Sequence, residues 1–349
     1  MLKSIIYILV CLIMYKNMGI LLIFGDEGGK ITLYLYFYRK NIQERYDMRK
    51  IHILNPAAGV AKAHLFIPKG IEVYETQGPH DLERFITETC KADPNVHITV
   101  YGGDGTVSEA VNGLMAAGPE AMEKTILSIV PKGSGNDFVR NFAKGERFLG
   151  RVDVIKCNDR YCINSINIGF DCDVVVETDK VKKNVFTSGS FGYIVGVLRV
   201  LMRELGTELE IKIKDKDGNE KEFKGEYLMT SLGNGKYCGG GFKFAPSATL
   251  NDGLFDAMVI NKMSKPTFIK LVGDYRSGKH VDPFTCEVEE KYKKLLKYFQ
   301  CREMTVKNIS RVGIDGEVIY TDKAEISIVP SAINIQMPAL DLTKFTNRK

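Results

Sequence analysis

Residues 98–113, ITVYGGDGTVSEAVNG, decide the fold of this chain. The stretch reads as a buried strand with Ile98 and Val100, then a glycine turn, then a helix. Glycines at positions 102, 103 and 105 surround Asp104, so main-chain N–H groups can approach an oxyanion without obstruction by a Cβ atom. The start of the helix adds its positive dipole end. The pattern predicts a phosphate-binding turn whose acid, Asp104, is suited to a magnesium ion. Taken alone, it also fits a tight strand-to-helix connection.

Strands and helices alternate on both sides of this stretch. Apolar strands are predicted at 50–56 (KIHILNP), 71–76 (IEVYET) and 125–131 (TILSIVP), and a helix over 80–91. This alternation predicts a parallel sheet with helices on both faces. Ligands bind beyond the carboxyl ends of such strands, where Asn55, Thr76 and the turn at 102–106 all fall. We therefore expect separate turns to meet at one edge of the sheet.

A second glycine turn follows the strand at 125–131. In PKGSGNDFVRNF (131–142), Gly133 and Ser134 form a flexible turn with a hydroxyl group. Asn136 and Asp137 are suited to cap a helix that begins at Phe138. On its own this is a capped helix start, but two glycine turns at neighbouring strand ends favour a shared nucleotide site.

The pattern changes after about residue 146. RVDVIKC and YCINSINIG alternate with period two around Asn158 and Asp159, which predicts a hairpin, and 186–205 is predicted as a helix. Many short strands follow, which indicates an antiparallel sandwich or barrel. We predict an α/β nucleotide-binding domain over 48–145, a mostly antiparallel β-sandwich domain over 146–340 and a tail over 341–349.

Three stretches of the second domain carry candidate chemistry. NDGLFD holds Asp252 beside a glycine and precedes a strand, and IDGEVI (314–319) places Asp315 and Glu317 around a glycine. DG is also the commonest hairpin turn, so this stretch also fits a purely structural role. EEKYKKLLKYF (289–299) is amphipathic and is predicted as an ordinary surface element rather than a membrane-contacting face.

Composition excludes several classes of function. The chain has 349 residues, of which 44% are apolar and 26% charged, and its net charge is +5. This charge suits anionic ligands or membranes and is too low to indicate nucleic-acid binding. Eight cysteines contain no CxxC pair, so neither zinc nor a disulfide framework is indicated and a reducing cytosol is the default. GxGxxG, GxxxxGK[ST], protein-kinase and GxSxG motifs are missing.

The N-terminal segment, residues 1–47, is atypical. Residues 4–15 are nearly all apolar, but Lys16 and Asn17 interrupt the run before GILLIF resumes, which disfavours a spanning helix. No small-residue cleavage site follows, which argues against a signal peptide. The interpretation we favour is that Met48 is the natural start, because MRKIHILNPAAG opens like the first strand of an α/β domain. A membrane anchor is the second interpretation.

The ordered set NPAAG, Thr76, GGDGTVSEAVNG, PKGSGNDFVR, NDGLFD and DGE resembles the bacterial diacylglycerol kinase family, which also contains sphingosine and ceramide kinases. The likeness covers about 48–340, and residues 1–47 have no counterpart in it. The resemblance implies an NAD kinase-like, two-domain lipid kinase with ATP bound in the cleft between the domains. It also implies an acyl-chain pocket in the β domain, and diacylglycerol as the first expected acceptor.

The resemblance also assigns roles to individual residues. Asp104 matches the acid that organises the nucleotide's Mg²⁺, and Glu317 matches the proposed general base. Asp252, with the carbonyl groups of Thr249 and Leu254, matches a structural Mg²⁺ site. Ser134 stands where the family usually has Thr and keeps the hydroxyl group. The implied ATP contacts are Asn55, Thr76, Gly102, Gly103, Asp104, Gly105, Thr106, Val107, Ser108, Gly133 and Ser134.

Other functions stay open at this point. A sphingosine- or ceramide-type kinase would share every motif. NAD kinase shares GGDGT, but it predicts an NE-type ribose motif where this chain has PKGSGNDF. A silent lipid- or nucleotide-binding regulator need not keep Asp104, Asp252 and Glu317 together. The expected partner is a lipid at the inner membrane surface, with a cytoplasmic, peripheral location and no nucleic acid, and a homodimer is left open.

Overall fold

A mixed β-sheet organises the chain, and the computed structural model describes residues 13–15, 18–20, 48–58, 67, 70–142, 147–170, 172–177 and 206–337. The contacts divide the chain into one unit over 1–49 and another from Lys50 to Lys349. In the first unit, β1 (Ile13–Tyr15) pairs antiparallel with β2 (Met18–Ile20). The helix predicted over 186–205 lies outside the described residues.

The first half of the large unit contains the parallel part of the sheet. Its strands are β3 (Arg49–Leu54), β4 (Glu72–Glu75), β5 (Val96–Gly102) and β6 (Ile126–Pro131), in the spatial order β4–β3–β5–β6. β3 runs parallel to β4, and β5 runs parallel to β6. The helices are α1 (Asp81–Ala92), α2 (Asp104–Ala117) and α3 (Pro119–Lys124). Alternate residues of β5 are buried in an apolar core shared with α1 and α2.

The second half is antiparallel. Its strands are β7 (Phe148–Cys157), β8 (Arg160–Cys162), β9 (Ser165–Gly169), β10 (Thr207–Asp215), β11 (Glu220–Gly233), β12 (Phe255–Asn261), β13 (Leu296–Lys307), β14 (Val312–Ile314), β15 (Glu317–Ile319) and β16 (Lys323–Met337). The helix α4 (Lys265–Ser277) packs beside them with its own apolar cluster. The predicted fold class is therefore confirmed: parallel strands with helices, followed by an antiparallel β-sandwich.

β16 joins the two halves. Its N-terminal part pairs antiparallel with β13, and most of the strand, from Ile326 to Met337, pairs antiparallel with β7. Residues 334–336 then pair parallel with β6, so a strand from the end of the chain completes the first half's sheet. The sequence predicted only the short segment EISIV here. The division at residue 145 stays a prediction, since the sheet continues across it.

One local prediction differs from the structure, and the structure specifies the form of a second stretch that was predicted only as a surface element. The helix expected at Phe138 is a single 3₁₀ turn, Val139–Asn141, because the carboxylate of Asp137 accepts from Gly240 N instead of capping a helix. The stretch 289–299 is a 3₁₀ turn, Glu290–Tyr292, that leads into β13. Among the described residues, no helix has the length and apolarity that crossing a membrane requires.

Candidate active site

The two glycine turns lie against each other at the ends of β5 and β6. Lys132 N donates to Gly102 O at 2.8 Å. A Cβ atom on Gly133 would lie 2.5 Å from the Cα of Gly103, and one on Gly103 would lie 2.9 Å from the Cα of Gly133. The two main chains are therefore closer than any side chain would permit. Asn136 braces the second turn, because its Oδ1 accepts from Gly133 N and its Nδ2 donates to Gly133 O.

Two further strand ends reach the first turn. Asn55 follows β3, and its Nδ2 donates to Thr106 Oγ1 at 2.9 Å. Thr76 follows β4, and its N donates to Leu54 O at 3.0 Å, which places it beside the end of β3. The structure thus brings together the turns that the sequence placed at one edge of the sheet.

The residues at the start of α2 differ in what they can offer a ligand. Gly105 is exposed, as is Ser134 in the second turn. Thr106, Val107 and Ser108 are buried. Val107 packs into the apolar core, and its N donates to Gly103 O at 3.1 Å, so neither group is open to a ligand.

Asp104 and Asp137 face each other across Gly135. A Cβ atom on Gly135 would lie 2.8 Å from Asp104 Oδ2 and 3.5 Å from Asp137 Oδ2. Burial raises the pKa of Asp104, although Phe138 N donates to its Oδ1 at 3.4 Å. Burial also raises the pKa of Asp137, and the negative charge of Asp104 adds to this effect. Asp137 Oδ1 is buried without a hydrogen bond, with Arg140 Nε at 3.4 Å.

The sequence treated Asp137 only as a helix cap and did not identify it as part of the site. The sequence signal that could have identified Asp137 as a site residue was its position two residues after Gly135 of the second glycine turn. Its partner, Gly240 N, lies 2.8 Å from Oδ2 and more than 100 positions away in the sequence. No local pattern predicts that contact.

The loop at 234–240 connects this turn region to the second half. Lys236 N donates to Asn141 Oδ1 at 2.8 Å, and Gly235 N donates to Asn164 O at 3.1 Å. Asn164 Nδ2 donates to Tyr237 O at 2.8 Å. The main chain of this glycine-rich loop therefore packs against both halves of the protein.

The DGE stretch is both a hairpin turn and a side-chain anchor. Asp315 and Gly316 have φ values of 48° and 90°, and β14 and β15 pair directly across them, as in a two-residue type I′ turn. The Asp315 carboxylate is buried and accepts from the N–H groups of Ile163, Asn164 and Ser165 at 2.9–3.0 Å. Burial raises the pKa of Asp315, and these hydrogen bonds oppose the effect.

Glu317, the next residue, projects from the hairpin with 48% of its side chain exposed. Arg160 Nη2 lies 3.7 Å from its Oε2, and His80 Nε2 lies 3.9 Å from its Oε1. The sequence did not identify Arg160 or His80 as neighbours of the site. Both lie far from Glu317 in the chain and carry no motif.

The predicted structural metal loop surrounds a buried acid. Asp252 Oδ1 accepts from Leu254 N at 3.0 Å, and Thr249 is exposed nearby in the chain. Asp153 of β7 is buried, with Oδ2 accepting from Gly253 N at 2.7 Å and Oδ1 accepting from Ser331 N at 2.6 Å. Burial and the charge of Asp153 raise the pKa of Asp252. The sequence signal for Asp153 was an acid inside an apolar strand.

Comparison with known proteins agrees with this geometry. Residues 51–164 match the diacylglycerol kinase catalytic domain, and residues 164–337 match the YegS C-terminal NAD kinase beta sandwich-like domain. A "Probable lipid kinase YegS-like" of Shewanella frigidimarina is 28% identical over 272 residues, covering 74% of this chain and 81% of the relative. One of the same description from Alcanivorax borkumensis is 27% identical over 269 residues, covering 74% and 84%.

A solved structure shares the fold. The chain of a diacylglycerol kinase from Bacillus anthracis strain Sterne superimposes with a TM-score of 0.57 at 20% identity, and the match covers 82% of this chain and 96% of that one. The two domain models together account for the described residues from β3 to β16. The chain belongs to the bacterial diacylglycerol and lipid kinase family.

Proposed function

We propose that the chain transfers the γ-phosphate of ATP to the hydroxyl group of a lipid, with diacylglycerol as the acceptor and phosphatidic acid as the product. The observation that carries the proposal is the direct contact between the turns at Gly103 and Gly133, with Asp104 beside both. Phosphoryl transfer depends mainly on positioning and on charge neutralisation. Main-chain N–H groups at two adjacent turns and an acid beside them are suited to that task.

The residues at the turns fit a magnesium–nucleotide complex. Mg²⁺ is usually held by one or two carboxylates together with substrate phosphates and water. Asp104 and Asp137 form such a pair: burial raises the pKa of both acids, the charge of Asp104 raises that of Asp137 further, and a bound cation would offset these costs. No group of three or more acidic, Cys or His side chains in the described part of the chain is arranged to hold a metal. Bound Mg²⁺ would neutralise charge on the transferring phosphate.

Glu317 is the proposed general base. Its carboxylate is half-exposed at the tip of the β14–β15 hairpin, where a hydroxyl group can approach it. As the bond from the lipid oxygen to the γ-phosphorus forms, Glu317 takes the hydroxyl proton. The neighbouring acid, Asp315, is buried under three N–H donors and serves to fix the hairpin.

We propose that the loop with Asp252 holds a second, structural Mg²⁺, together with the carbonyl groups of Thr249 and Leu254. Asp252 and Asp153 lie close together, burial and the charge of Asp153 raise the pKa of Asp252, and a cation would offset this cost. Asp153 bonds both to this loop and to Ser331 of β16. The ion would therefore stabilise the join between the loop and the sheet.

The acceptor lipid requires contact with a membrane surface, and we propose that the protein is peripheral at the cytoplasmic face. α4 supports this proposal, because its outward residues include Lys265, Lys270 and Arg276 beside Ile269, which is 65% exposed. The one acid of α4, Asp274, is bound by Lys291 and Tyr292. A cationic helix face with exposed apolar side chains suits an anionic bilayer.

The test is a transfer assay with labelled ATP, Mg²⁺ and mixed micelles that carry diacylglycerol, sphingosine, ceramide or monoacylglycerol, with NAD in a parallel reaction. We expect label in phosphatidic acid, and its loss in Glu317→Gln with ATP binding retained. Label in another lipid would correct the acceptor. Label in NADP would replace the proposal by NAD kinase, and ATP binding without transfer to any acceptor would indicate a regulator.

A further inference from the structure

Four side chains, one of which is the proposed base Glu317, form a closed ring of contacts. Arg160 Nη1 lies 2.8 and 2.9 Å from the two carboxylate oxygens of Glu83, while its Nη2 lies 3.7 Å from Glu317. His80 spans the same two carboxylates, with Nδ1 3.8 Å from Glu83 and Nε2 3.9 Å from Glu317. Each acid is therefore flanked by the same guanidinium and the same imidazole.

Arg160 belongs to β8 of the second half, but it is bound to two helices of the nucleotide-binding half. Both its side chain and that of Glu83 are mostly buried, so their ion pair is less screened than an exposed one. The next residue, Tyr161, donates its N–H to Asn112 Oδ1 at 3.0 Å and accepts from Asn112 Nδ2 at 2.8 Å. Asn112 belongs to α2, the helix that begins at the first glycine turn. The main chain of Arg160 is thus tied to α2 and its side chain to α1.

Glu317 lacks comparable support from its own hairpin. β14 and β15 have three residues each, and Glu317 opens β15. In the described part of the chain, the contacts of its carboxylate are with Arg160 and His80, at ion-pair rather than hydrogen-bond distances. A long, half-exposed side chain with only these contacts retains several rotamers, and holding one of them costs conformational entropy. A planar guanidinium that is already fixed can reduce that freedom.

We propose that Arg160 is a positioning residue for Glu317, anchored by Glu83 on α1 and complemented by His80. The inference rests on the proposed role of Glu317 as the base. Arg160 neither gives nor receives a proton. In the step itself, the lipid oxygen bonds to the γ-phosphorus, the bond from that phosphorus to the ADP oxygen breaks, and the hydroxyl proton passes to Glu317. Arg160 sets the place of the carboxylate relative to the phosphate-binding turns, because it is fixed to the same helices.

The test compares Arg160→Gln and Arg160→Lys with Arg84→Gln. Arg84 is the control, since it lies beside Glu83 on α1 but pairs with Asp81. We expect Arg160→Gln to lower kcat by about 10- to 100-fold, the effect of a misplaced reacting group, with the KM for ATP and the melting temperature nearly unchanged. Lys can pair with Glu83 but cannot span both carboxylates, so Arg160→Lys should restore little of kcat. Arg84→Gln should retain the wild-type kcat.

A double-mutant cycle with Glu317→Gln separates positioning from a merely structural role. If Arg160 acts through Glu317, adding Arg160→Gln to Glu317→Gln changes the residual rate less than about twofold. Equal losses in both backgrounds, or a normal kcat in Arg160→Gln, would overturn the inference while leaving the kinase intact. A wild-type protein that transfers no phosphate to any lipid would instead remove the proposed function on which the inference rests.

Discussion

A methyl group on Gly103 or Gly133 would clash with the main chain of the other glycine, because the added Cβ atom would lie only 2.9 or 2.5 Å from the partner's Cα atom. We predict that Gly133→Ala lowers the free energy of unfolding by about 1–3 kcal/mol, the usual cost of overpacking, and weakens ATP binding by separating the turns. Gly273→Ala is the matched control: this glycine lies inside α4 with no atom within 4 Å of an added Cβ, and Ala there should stabilise by about 0.5–1 kcal/mol. Urea unfolding of both variants would show opposite signs, and equal stabilities would contradict the contact.

Asp104 is mostly buried, and burial disfavours the charge that the proposed magnesium–nucleotide complex would use. We predict that Asp104→Asn lowers kcat by at least about 100-fold, comparable to the loss of one electrostatic group, and leaves the melting temperature equal or higher. The reason is that the substitution removes a charge that burial already disfavours. Transfer assays and thermal unfolding on the same preparation check both parts. Near-normal turnover would remove Asp104 from the nucleotide site.

The residues that the sequence identified and those it missed differ in one respect. Asp104 and Gly133 sit in glycine turns whose chemistry is local, so the sequence pattern indicated them directly, whereas Glu317 received its expected role from the resemblance to the lipid kinase family. Asp137 and Arg160 act through partners about 100 and 77 positions away. Such contacts depend on how the two halves pack, which no local pattern encodes.

Among the elements, β16 shows why strand boundaries are hard to predict. Pro330 and Ser331 look like a strand end, yet the strand continues beyond them. The register shifts between Val329 and Ile333, Ser331 takes a φ of 46°, and its N–H is satisfied by Asp153. Pro is tolerated at such a bulge because no ladder hydrogen bond is lost there.

α4 and the turn that follows it carry the predicted membrane contact. Phe284 is 92% exposed in that turn, where the Asp282 carboxylate accepts from its N–H and from that of Thr285. We predict that Ile269→Ser combined with Phe284→Ser lowers binding to phosphatidylglycerol vesicles by about tenfold, because burying each apolar side chain contributes 1–3 kcal/mol when complete and less here.

Leu149→Ser serves as the control for that prediction, since Leu149 is an exposed apolar residue on β7, away from α4. Vesicle cosedimentation should show unchanged binding for it. Binding of the wild-type protein should also weaken as salt screens the lysines of α4, and it should be lower on neutral phosphatidylcholine. Equal loss in all variants would place the membrane contact elsewhere.

At the scale of the whole molecule, the fold class of each half could be predicted from the sequence, but the way in which the two halves are joined could not. Periodicity distinguished the parallel α/β strands from the antiparallel ones because each buries a different pattern of residues. The return of β16 to pair with β6, and the contacts of the 234–240 loop with Asn141 and Asn164, place the proposed base and the glycine turns on one connected framework. The β16–β6 pairing and the loop contacts both join segments that are distant in sequence, so no local pattern predicts them.

The stability of the whole molecule should depend on pH through Asp256. This acid of β12 is fully buried, and its carboxylate faces the side chains of Tyr298 and Gln300, which oppose the effect of burial only in part. Burial raises its pKa from 3.8 to about 7, and the negative charge of Asp252 adds to the shift. Between pH 4 and 7 the folded protein therefore keeps a proton that the unfolded chain has released. The contribution of Asp256 to stability consequently falls as pH rises through this window and is constant above it.

Asp256→Asn isolates this effect, because the amide cannot ionise. The quantity to compare is the free energy of unfolding of the variant minus that of the wild type. We predict that this difference is larger at pH 8 than at pH 4 by up to about 4 kcal/mol, which is the free-energy equivalent of the pKa shift. His97, whose pKa burial lowers to about 4, has the opposite slope but is present in both proteins and cancels in the difference. Urea unfolding at several pH values checks this. Parallel curves would mean that Asp256 is ionised in the folded state near pH 5, with Tyr298, Gln300 or a bound cation stabilising its charge.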